Sequence, residues 1–171
     1  MIQLVILDID GILTDGKKYY NLDGMPFAKT YCDKDFTAIK RLRAAGVKVC
    51  FLSGDGKVNK KMAENRNIDF YNARGLDKGE FVEKFSHVYD VKPENMLYLG
   101  DDLFDLSIMK KVELAYCPKD SPDIVKEVCK VIDAKGGDNL VCKLVDLLLK
   151  KGYIKDTSLE EIEKLDKKET F

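Results

Sequence analysis

Four short apolar runs, each about one strand long and each ending in polar residues, constrain the fold most. They read IQLVILDID (2–10), VKVCFLSG (47–54), NMLYLGDD (95–102) and VELAYCP (112–118). Their apolar residues are continuous rather than alternating, as in parallel strands covered on both faces. Segments with helical periodicity, 33–45 and 77–91, lie between them. The sequence therefore predicts an α/β fold with a Rossmann-like open parallel sheet and helices on both faces.

One segment interrupts this alternation of strands and helices. Between Ile12 and Tyr31 the sequence reads as two short strands around the turn Asn21–Gly24, which predicts a β-hairpin inserted directly after the first strand. The hairpin is too small to be a domain. We therefore expect one domain over residues 1–171, with a hairpin flap and no cap domain. A capping box predicts a peripheral C-terminal helix at about 157–168.

The composition excludes several classes of function. Lysines and arginines (29) nearly balance aspartates and glutamates (30), so the chain has no electrostatic footprint for nucleic acid. It has no apolar run of about 18 residues and no signal-peptide pattern, so we expect a cytoplasmic protein that contacts no membrane. The five cysteines form no CxxC pair, which favours neither disulfides nor zinc. His87 is the only histidine, so a histidine-dependent catalytic triad is not expected.

Polar residues gather where the predicted strands end. The carboxyl ends of parallel strands meet at one edge of the sheet, which is where ligands bind in such folds. Four carboxylates at this edge would repel one another unless a cation lay among them, and oxygen ligands suit Mg²⁺. The candidate metal ligands are Asp8, Asp10, Asp101 and Asp102. Asp105 either orients this site or faces solvent.

The remaining strand-end residues suit a phosphate group. Ser53 offers a hydroxyl, Gly54 a backbone N–H and a lysine such as Lys78 a positive charge for an oxyanion. Beside such a group, Asp8 is placed to attack phosphorus as a covalent nucleophile. Asp10 is placed to protonate the leaving oxygen and then to deprotonate the water that hydrolyses the aspartyl phosphate.

Four motifs carry a family resemblance. DIDGILTDG, LSG, the lysine of LDKGE, and GDDLFD together resemble the four-part signature of the haloacid dehalogenase superfamily of phosphatases. The chain is also similar to one capless branch of this superfamily, which acts on 3-deoxy-ulosonic acid phosphates, namely Kdo 8-phosphate or Kdn 9-phosphate. The shared features are the small hairpin in place of a cap, the TDG after the first motif and Gly136-Gly137. The family spacing selects Lys78 over Lys57 or Lys84 as the phosphate-binding lysine.

The resemblance implies a role for each motif. Asp8 is the nucleophile, Asp10 the acid/base, and Ser53 and Lys78 the phosphate ligands. Mg²⁺ is bound by Asp8, the Asp10 carbonyl and Asp101. The resemblance also implies a homotetramer in which the hairpins assemble centrally and a neighbour helps to close each active site.

One residue departs from the Kdo 8-phosphate pattern. Asp55 follows Ser53-Gly54 where an arginine is expected. An aspartate there would repel a nearby substrate carboxylate and accept hydrogen bonds from sugar hydroxyls instead. We therefore take Asp55 as a candidate specificity residue that favours the nine-carbon substrate, whose carboxylate lies farther from phosphorus.

A non-enzymatic receiver module is the alternative function. Receivers also combine an acidic pair, Mg²⁺, a phosphorylated aspartate and a lysine on a parallel sheet. Their phosphorylated aspartate, however, ends a strand separate from that of the acidic pair, whereas the second strand here ends in Ser53. The order of motifs therefore favours the phosphatase.

Overall fold

The computed structural model describes residues 1–170. Its main sheet has six parallel strands in the order β5-β4-β1-β6-β7-β8, and a separate two-stranded antiparallel hairpin consists of β2 and β3. The strands are β1 (Leu4–Leu7), β2 (Tyr19–Tyr20), β3 (Pro26–Ala28), β4 (Lys48–Ser53), β5 (Asp69–Asn72), β6 (Met96–Leu99), β7 (Leu114–Pro118) and β8 (Lys130–Ile132).

Helices connect the strands and cover the sheet. They are α1 (Asp33–Ala44), α2 (Val58–Asn65), α3 (Phe81–Tyr89), α4 (Leu106–Met109), α5 (Asp123–Lys126), α6 (Leu140–Lys150) and α7 (Leu159–Asp166). Short 3₁₀ turns cover Lys78–Glu80, Pro93–Asn95 and Leu103–Asp105. No helix within residues 1–170 is both long and apolar enough to cross a membrane.

The sheet is buried on both faces, which explains why its central strands are continuously apolar. In β1, Val5 and Leu7 belong to the core formed with α1 and α6, whereas Leu4 and Ile6 belong to the core formed with α3. All four of these side chains are fully buried. The predicted α/β fold with an open parallel sheet and helices on both faces is confirmed.

Elements at the edges of the sheet were not predicted. Strands β5 and β8 form the two edges, so they are only partly buried and their sequences carry polar residues. The segment 77–91 also differs from the predicted continuous helix, because it begins as a 3₁₀ turn. Val88 is exposed on this helix, and Tyr89 packs against Phe85 with ring centroids 5.9 Å apart.

The hairpin is smaller than predicted. Ile12 and Leu13 are fully buried in the turn after β1, and paired strands form only at Tyr19–Tyr20 and Pro26–Ala28. Asn21 closes the turn between them, because its side chain accepts a hydrogen bond from the Met25 N–H at 2.9 Å. The hairpin therefore projects from the core as a flap beside the carboxyl ends of the strands.

The C-terminal segment lies on the outside of the helical layer. The capping box is partly formed, since the Glu161 N–H donates to Ser158 Oγ at 3.3 Å. Lys40 of α1 contacts Asp166 at 2.5 Å and Glu169 at 3.1 Å, and Arg66 contacts Glu169 at 2.9 Å. These ion pairs hold the end of α7 and the turn after it against α1 and the end of α2.

Candidate active site

The candidate site lies at the point where the order of the strands in the sheet reverses. Strand β1 pairs with β4 on one side and with β6 on the other, so the carboxyl ends of these three strands meet. Asp8 follows β1 directly, and its N–H donates to the Leu99 carbonyl at 2.9 Å. An open cleft of about 1240 Å³ lies above these ends and is partly roofed by the hairpin. This is the expected ligand position in an open parallel sheet.

Asp8 forms a buried ion pair at the base of the cleft. It is 8% exposed, and its Oδ2 accepts a hydrogen bond from Lys78 Nζ at 2.8 Å. Lys78 Nζ also donates to Asp105 Oδ1 at 2.6 Å and to the Tyr98 hydroxyl at 3.2 Å. Asp8 Oδ1 accepts from the Ile9 N–H at 2.7 Å. The Asp8 carboxylate is therefore held in one orientation with a cation beside it.

The electrostatics of this cluster call for a further positive charge. Burial, with the charge of Asp105 and despite Lys78, raises the pKa of Asp8 to about 6. Burial and the charges of Asp8 and Asp105 raise the pKa of Asp101 to about 8. Burial opposes the charge of Lys78, but Asp8 and Asp105 outweigh it and hold the pKa of Lys78 above its usual value. One lysine therefore leaves three close carboxylates incompletely neutralised.

The donor set fits a divalent cation that prefers oxygen. One carboxylate oxygen each from Asp8, Asp101 and Asp105 lies within 4.8 Å of the others. Asp105 is fully buried, and its oxygens already accept from Lys78 and Tyr98 on one side and from the Asp101 and Asp102 N–H groups on the other. This leaves the Asp8 and Asp101 carboxylates available to a cation, with Asp105 holding the loop.

The carboxylates of two predicted metal ligands have other partners. The Asp102 side chain is exposed and accepts a hydrogen bond from the Leu103 N–H at 2.7 Å, so it caps the following 3₁₀ turn. The Asp10 carboxylate accepts hydrogen bonds from Lys29, beside the hairpin, and from Asn59 of α2. Neither carboxylate belongs to the acidic group formed within residues 1–170. The predicted contribution of Asp10 was through its backbone carbonyl, and that part stays a prediction.

Asp10 lies in a second network that the sequence did not predict. Its Oδ1 accepts from Lys29 Nζ at 2.7 Å, and its Oδ2 accepts from Asn59 Nδ2 at 3.0 Å. Asn59 is fully buried in the first turn of α2. Its Nδ2 also donates to Ser53 Oγ at 3.0 Å. Because Ser53 Oγ accepts this bond, the Ser53 hydroxyl proton stays available for a phosphate oxygen.

Asp55 is neutralised by lysines of the hairpin. Its Oδ2 lies 2.7 Å from Lys29 Nζ and 3.2 Å from Lys18 Nζ. Burial alone would raise the pKa of Asp55, but the Lys29 hydrogen bond, the Lys57 N–H and the charge of Lys29 outweigh it and lower the pKa to about 2. Two lysines therefore face the Asp55 carboxylate, and its role in substrate specificity stays a prediction.

Gly136 and Gly137 support the loop that carries Asp8 and Asp10. A Cβ on Gly136 would lie 2.0 Å from the Gly11 carbonyl oxygen. The Gly137 N–H donates to the Ile12 carbonyl at 2.9 Å, and Gly137 has a φ of +70°. Backbone therefore packs on backbone here, and only glycine permits that approach.

Sequence reasoning placed Asp8, Ser53, Gly54, Lys78 and Asp101 together, and all five line the cleft. It did not predict the roles of Lys18, Lys29, Asn59 and Tyr98, because each reaches the site through tertiary contacts from another element. His87 is exposed on α3 and does not line the cleft.

A sequence model of the haloacid dehalogenase-like hydrolases matches residues 55–143, just over half of the chain. The chain belongs to the haloacid dehalogenase-like hydrolase family. This hydrolase is 29% identical over 150 residues to the 3-deoxy-D-manno-octulosonate 8-phosphate phosphatase of Haemophilus influenzae, and the match covers 86% of this chain and 83% of the relative. It is 29% identical over 157 residues to the Escherichia coli K12 protein of the same name, covering 86% and 79%.

Solved structures agree with these relatives. The hydrolase superimposes on the cobalt-bound form of the deoxy-D-mannose-octulosonate 8-phosphate phosphatase from Haemophilus influenzae with a TM-score of 0.82 and 29% identity, covering 87% of this chain and 88% of that one. For the Yersinia pestis phosphatase the TM-score is 0.80 and the identity 26%, covering 96% and 84%. The predicted family resemblance and the assignment as a phosphatase-type hydrolase are confirmed.

Proposed function

We propose that this hydrolase is a Mg²⁺-dependent phosphatase of a 3-deoxy-ulosonic acid phosphate of the Kdo 8-phosphate or Kdn 9-phosphate type. The observation that carries the proposal is the Asp8 carboxylate, 8% exposed at the base of the cleft and held by Lys78 beside Asp101. The relatives of this hydrolase that are named as Kdo 8-phosphate phosphatases support a sugar-acid phosphate as the substrate.

The first chemical step uses Asp8 and Asp10. A carboxylate oxygen of Asp8 attacks phosphorus while the bond between phosphorus and the sugar oxygen breaks, and Asp10 gives its proton to that leaving oxygen. The Ser53 hydroxyl, the Gly54 N–H and Lys78 donate to the phosphoryl oxygens. Mg²⁺ bound by the Asp8 and Asp101 carboxylates and the Asp10 carbonyl would neutralise charge between the nucleophile and the phosphoryl group.

The second step releases phosphate. Asp10, now a carboxylate, removes a proton from a water molecule whose oxygen attacks the phosphorus of the aspartyl phosphate. The bond between phosphorus and the Asp8 oxygen breaks, which regenerates the Asp8 carboxylate and leaves Asp10 protonated. The same pair of residues thus serves both half-reactions.

Two cations at the cleft suit the acid group of the sugar. Arg74 and Lys57 line the cleft, and within residues 1–170 neither side chain forms an ion pair. The Arg74 backbone borders the phosphate-binding turn, because a Cβ on Gly54 would lie 3.9 Å from the Arg74 Cα. We assign the substrate carboxylate to Arg74, with Lys57 beside it.

The nine-carbon preference inferred from Asp55 stays a prediction. Lys18 and Lys29 neutralise Asp55, so we expect the preference for Kdn 9-phosphate over Kdo 8-phosphate to be small. The comparison of kcat/KM for the two compounds in the wild-type enzyme decides it. A strong preference for Kdo 8-phosphate would remove Asp55 as a selector.

We also propose that the enzyme assembles as a homotetramer through its hairpins. Tyr19, Tyr20, Leu22 and Phe27 are exposed on a two-stranded hairpin, which is marginal by itself in water. Tyr20 and Met25 of the same hairpin line the cleft. A neighbour that covers the hairpin would therefore also restrict access to the active site.

A screen of phosphate esters tests the function. Sugar-acid phosphates, neutral sugar phosphates and p-nitrophenyl phosphate are assayed with Mg²⁺, with Ca²⁺ and in chelator. We expect Mg²⁺-dependent release of phosphate, highest for a sugar-acid phosphate, and lower activity with Ca²⁺ because its coordination is larger and looser. Full activity in chelator, or no activity on any phosphomonoester, would contradict the proposal.

A further inference from the structure

Lys29 is a fully buried cation at the root of the hairpin. It follows β3 directly, and its side chain is 0% exposed. Its Nζ donates three hydrogen bonds, to Asp10 Oδ1 at 2.7 Å, to Asp55 Oδ2 at 2.7 Å and to Asn59 Oδ1 at 2.8 Å. An ammonium group has three protons, so every donor of Lys29 is used. Lys29 is therefore saturated by protein groups and is not placed to bind substrate.

The contacts fix the orientation of Asp10. Lys29 holds one oxygen of the Asp10 carboxylate, and Asn59 holds the other at 3.0 Å. Lys18, the other lysine of the hairpin near this carboxylate, lies 3.8 Å from Asp10 and is partly exposed. Removal of Lys29 would leave Asp10 and Asp55 close together with only this weaker compensation.

We propose that Lys29 is a positioning residue for Asp10, through which the hairpin sets the geometry of leaving-group protonation. The inference rests on the proposed function, because it takes Asp10 as the acid/base. A proton donor must lie within hydrogen-bond reach of the leaving oxygen, and small displacements of such a group are costly. Lys29 lies where the hairpin rejoins the core, so the position of the hairpin affects the position of the Asp10 carboxylate.

The leaving group provides a selective test. An alkyl phosphate of a sugar acid expels a basic alkoxide that needs the Asp10 proton, whereas p-nitrophenyl phosphate expels a weakly basic phenolate that needs it little. In Lys29→Met, which keeps an unbranched side chain of similar length and removes the ammonium group, the ratio of kcat/KM for the sugar-acid phosphate over p-nitrophenyl phosphate should fall by about tenfold or more. Lys29→Arg should restore part of this ratio, and Lys18→Met should change it less than Lys29→Met does.

Combination with Asp10→Asn separates positioning from a general loss of folding. In the Asp10→Asn enzyme the proton donor is already absent, so Lys29→Met should lower the remaining sugar-acid phosphatase rate by less than about threefold. If Lys29→Met does not fold, Asn59→Ser removes the bond to the other Asp10 oxygen without changing the charge, and it should lower the same ratio.

The outcomes are distinct. An unchanged ratio in folded Lys29→Met, or full additivity with Asp10→Asn, would overturn the positioning role. Absence of phosphomonoesterase activity in the wild-type enzyme would instead contradict the proposed function. The Tm of each variant is measured by thermal unfolding, to establish that the variant is folded under the assay conditions.

Discussion

Gly11 and Asp101 approach so closely that no other residue fits at position 11. A Cβ on Gly11 would lie 2.0 Å from Asp101 Oδ2, and the φ of Gly11 is +79°. The glycine that follows Asp8 and Asp10 in the first motif therefore has a definite physical role. It gives the Asp101 carboxylate space to stand beside Asp8 at the predicted metal position.

Gly11→Ala should displace Asp101 and weaken metal binding. Positive φ alone costs an L-residue about 1–2 kcal/mol, and the clash with Asp101 adds to it. We expect the Mg²⁺ concentration for half-maximal activity to rise by about tenfold or more. Gly46→Ala is the matched control, because Gly46 has a φ of +83° with no atom within 4 Å of the added Cβ. Equal metal dependence in the two variants would show that Asp101 tolerates the intrusion.

Asp8→Asn should abolish phosphate release. The amide keeps the shape of the side chain but lacks the carboxylate nucleophile, so kcat should fall by at least about a thousandfold. The fold should persist, because Lys78 keeps its bonds to Asp105 and the Tyr98 hydroxyl. Kinetics on p-nitrophenyl phosphate and thermal unfolding check both expectations. Activity within about tenfold of wild type would remove Asp8 as the nucleophile.

Stabilisation by Mg²⁺ should increase with pH. The pKa values of Asp8, about 6, and Asp101, about 8, lie above the ordinary 3.8. For acids whose pKa is raised by folding, the stabilising contribution is complete below the unfolded-state pKa and is lost as the pH rises through the folded-state values. The metal-free protein should therefore lose stability between about pH 4 and pH 8. Mg²⁺ binds the deprotonated carboxylates and should offset that loss.

Melting curves at about pH 5.5 and about pH 8 measure this effect. The rise in Tm on adding Mg²⁺ should be larger at the higher pH, and at 100 times Kd the gain is about 2.7 kcal/mol. Asp101→Ala should remove most of the rise at both pH values. A rise that is equal at the two pH values would contradict the assignment of Asp8 and Asp101 as ligands.

Arg74→Gln should reduce selectivity for sugar acids. The substitution removes the charge proposed to meet the substrate carboxylate, and hydrogen bonds to charged groups contribute about 1.5–3 kcal/mol. The ratio of kcat/KM for a sugar-acid phosphate over a neutral sugar phosphate should fall by about tenfold, mainly through KM. Lys92→Gln, at a surface lysine outside the cleft, is the control. A ratio equal to that of wild type would place the carboxylate elsewhere.

Charge on the hairpin should break the proposed tetramer. Leu22 and Phe27 are 108% and 62% exposed. Replacing both with aspartate would place charges in an apolar interface, so light scattering should give a smaller species. Leu159→Asp introduces a charge at another exposed leucine, on α7, and should leave the assembly intact. A wild-type monomer at working concentration would contradict the proposal.

The order of the strand-end motifs could be predicted because it depends on local sequence. A run such as LVILD buries every apolar residue of a central strand and ends at the first carboxylate, so Asp8 had to lie at the mouth of the sheet. Ser53 is the last residue of β4, and Asp101 lies two residues after β6. The adjacency of these ends follows from parallel pairing, which is the usual topology for alternating strands and helices.

The partners of those residues were decided by tertiary structure. Lys29 is 19 residues from Asp10 and 26 from Asp55, and it shows no periodicity that separates it from a surface lysine. Only the folding of the hairpin against α2 buries it. The choice between Asp102 and Asp105 was likewise a matter of burial, since the fully buried Asp105 holds the loop while the exposed Asp102 caps a turn.

The sequence by itself therefore determined the fold class, the family and the residues at the strand ends, because these depend on the burial pattern of single strands and on short local motifs. The tertiary structure decided how the carboxylates are neutralised, because charge compensation depends on distances between elements far apart in the chain. Asp55 illustrates the difference. It is an isolated negative charge in the sequence and a partner of two lysines in the folded protein.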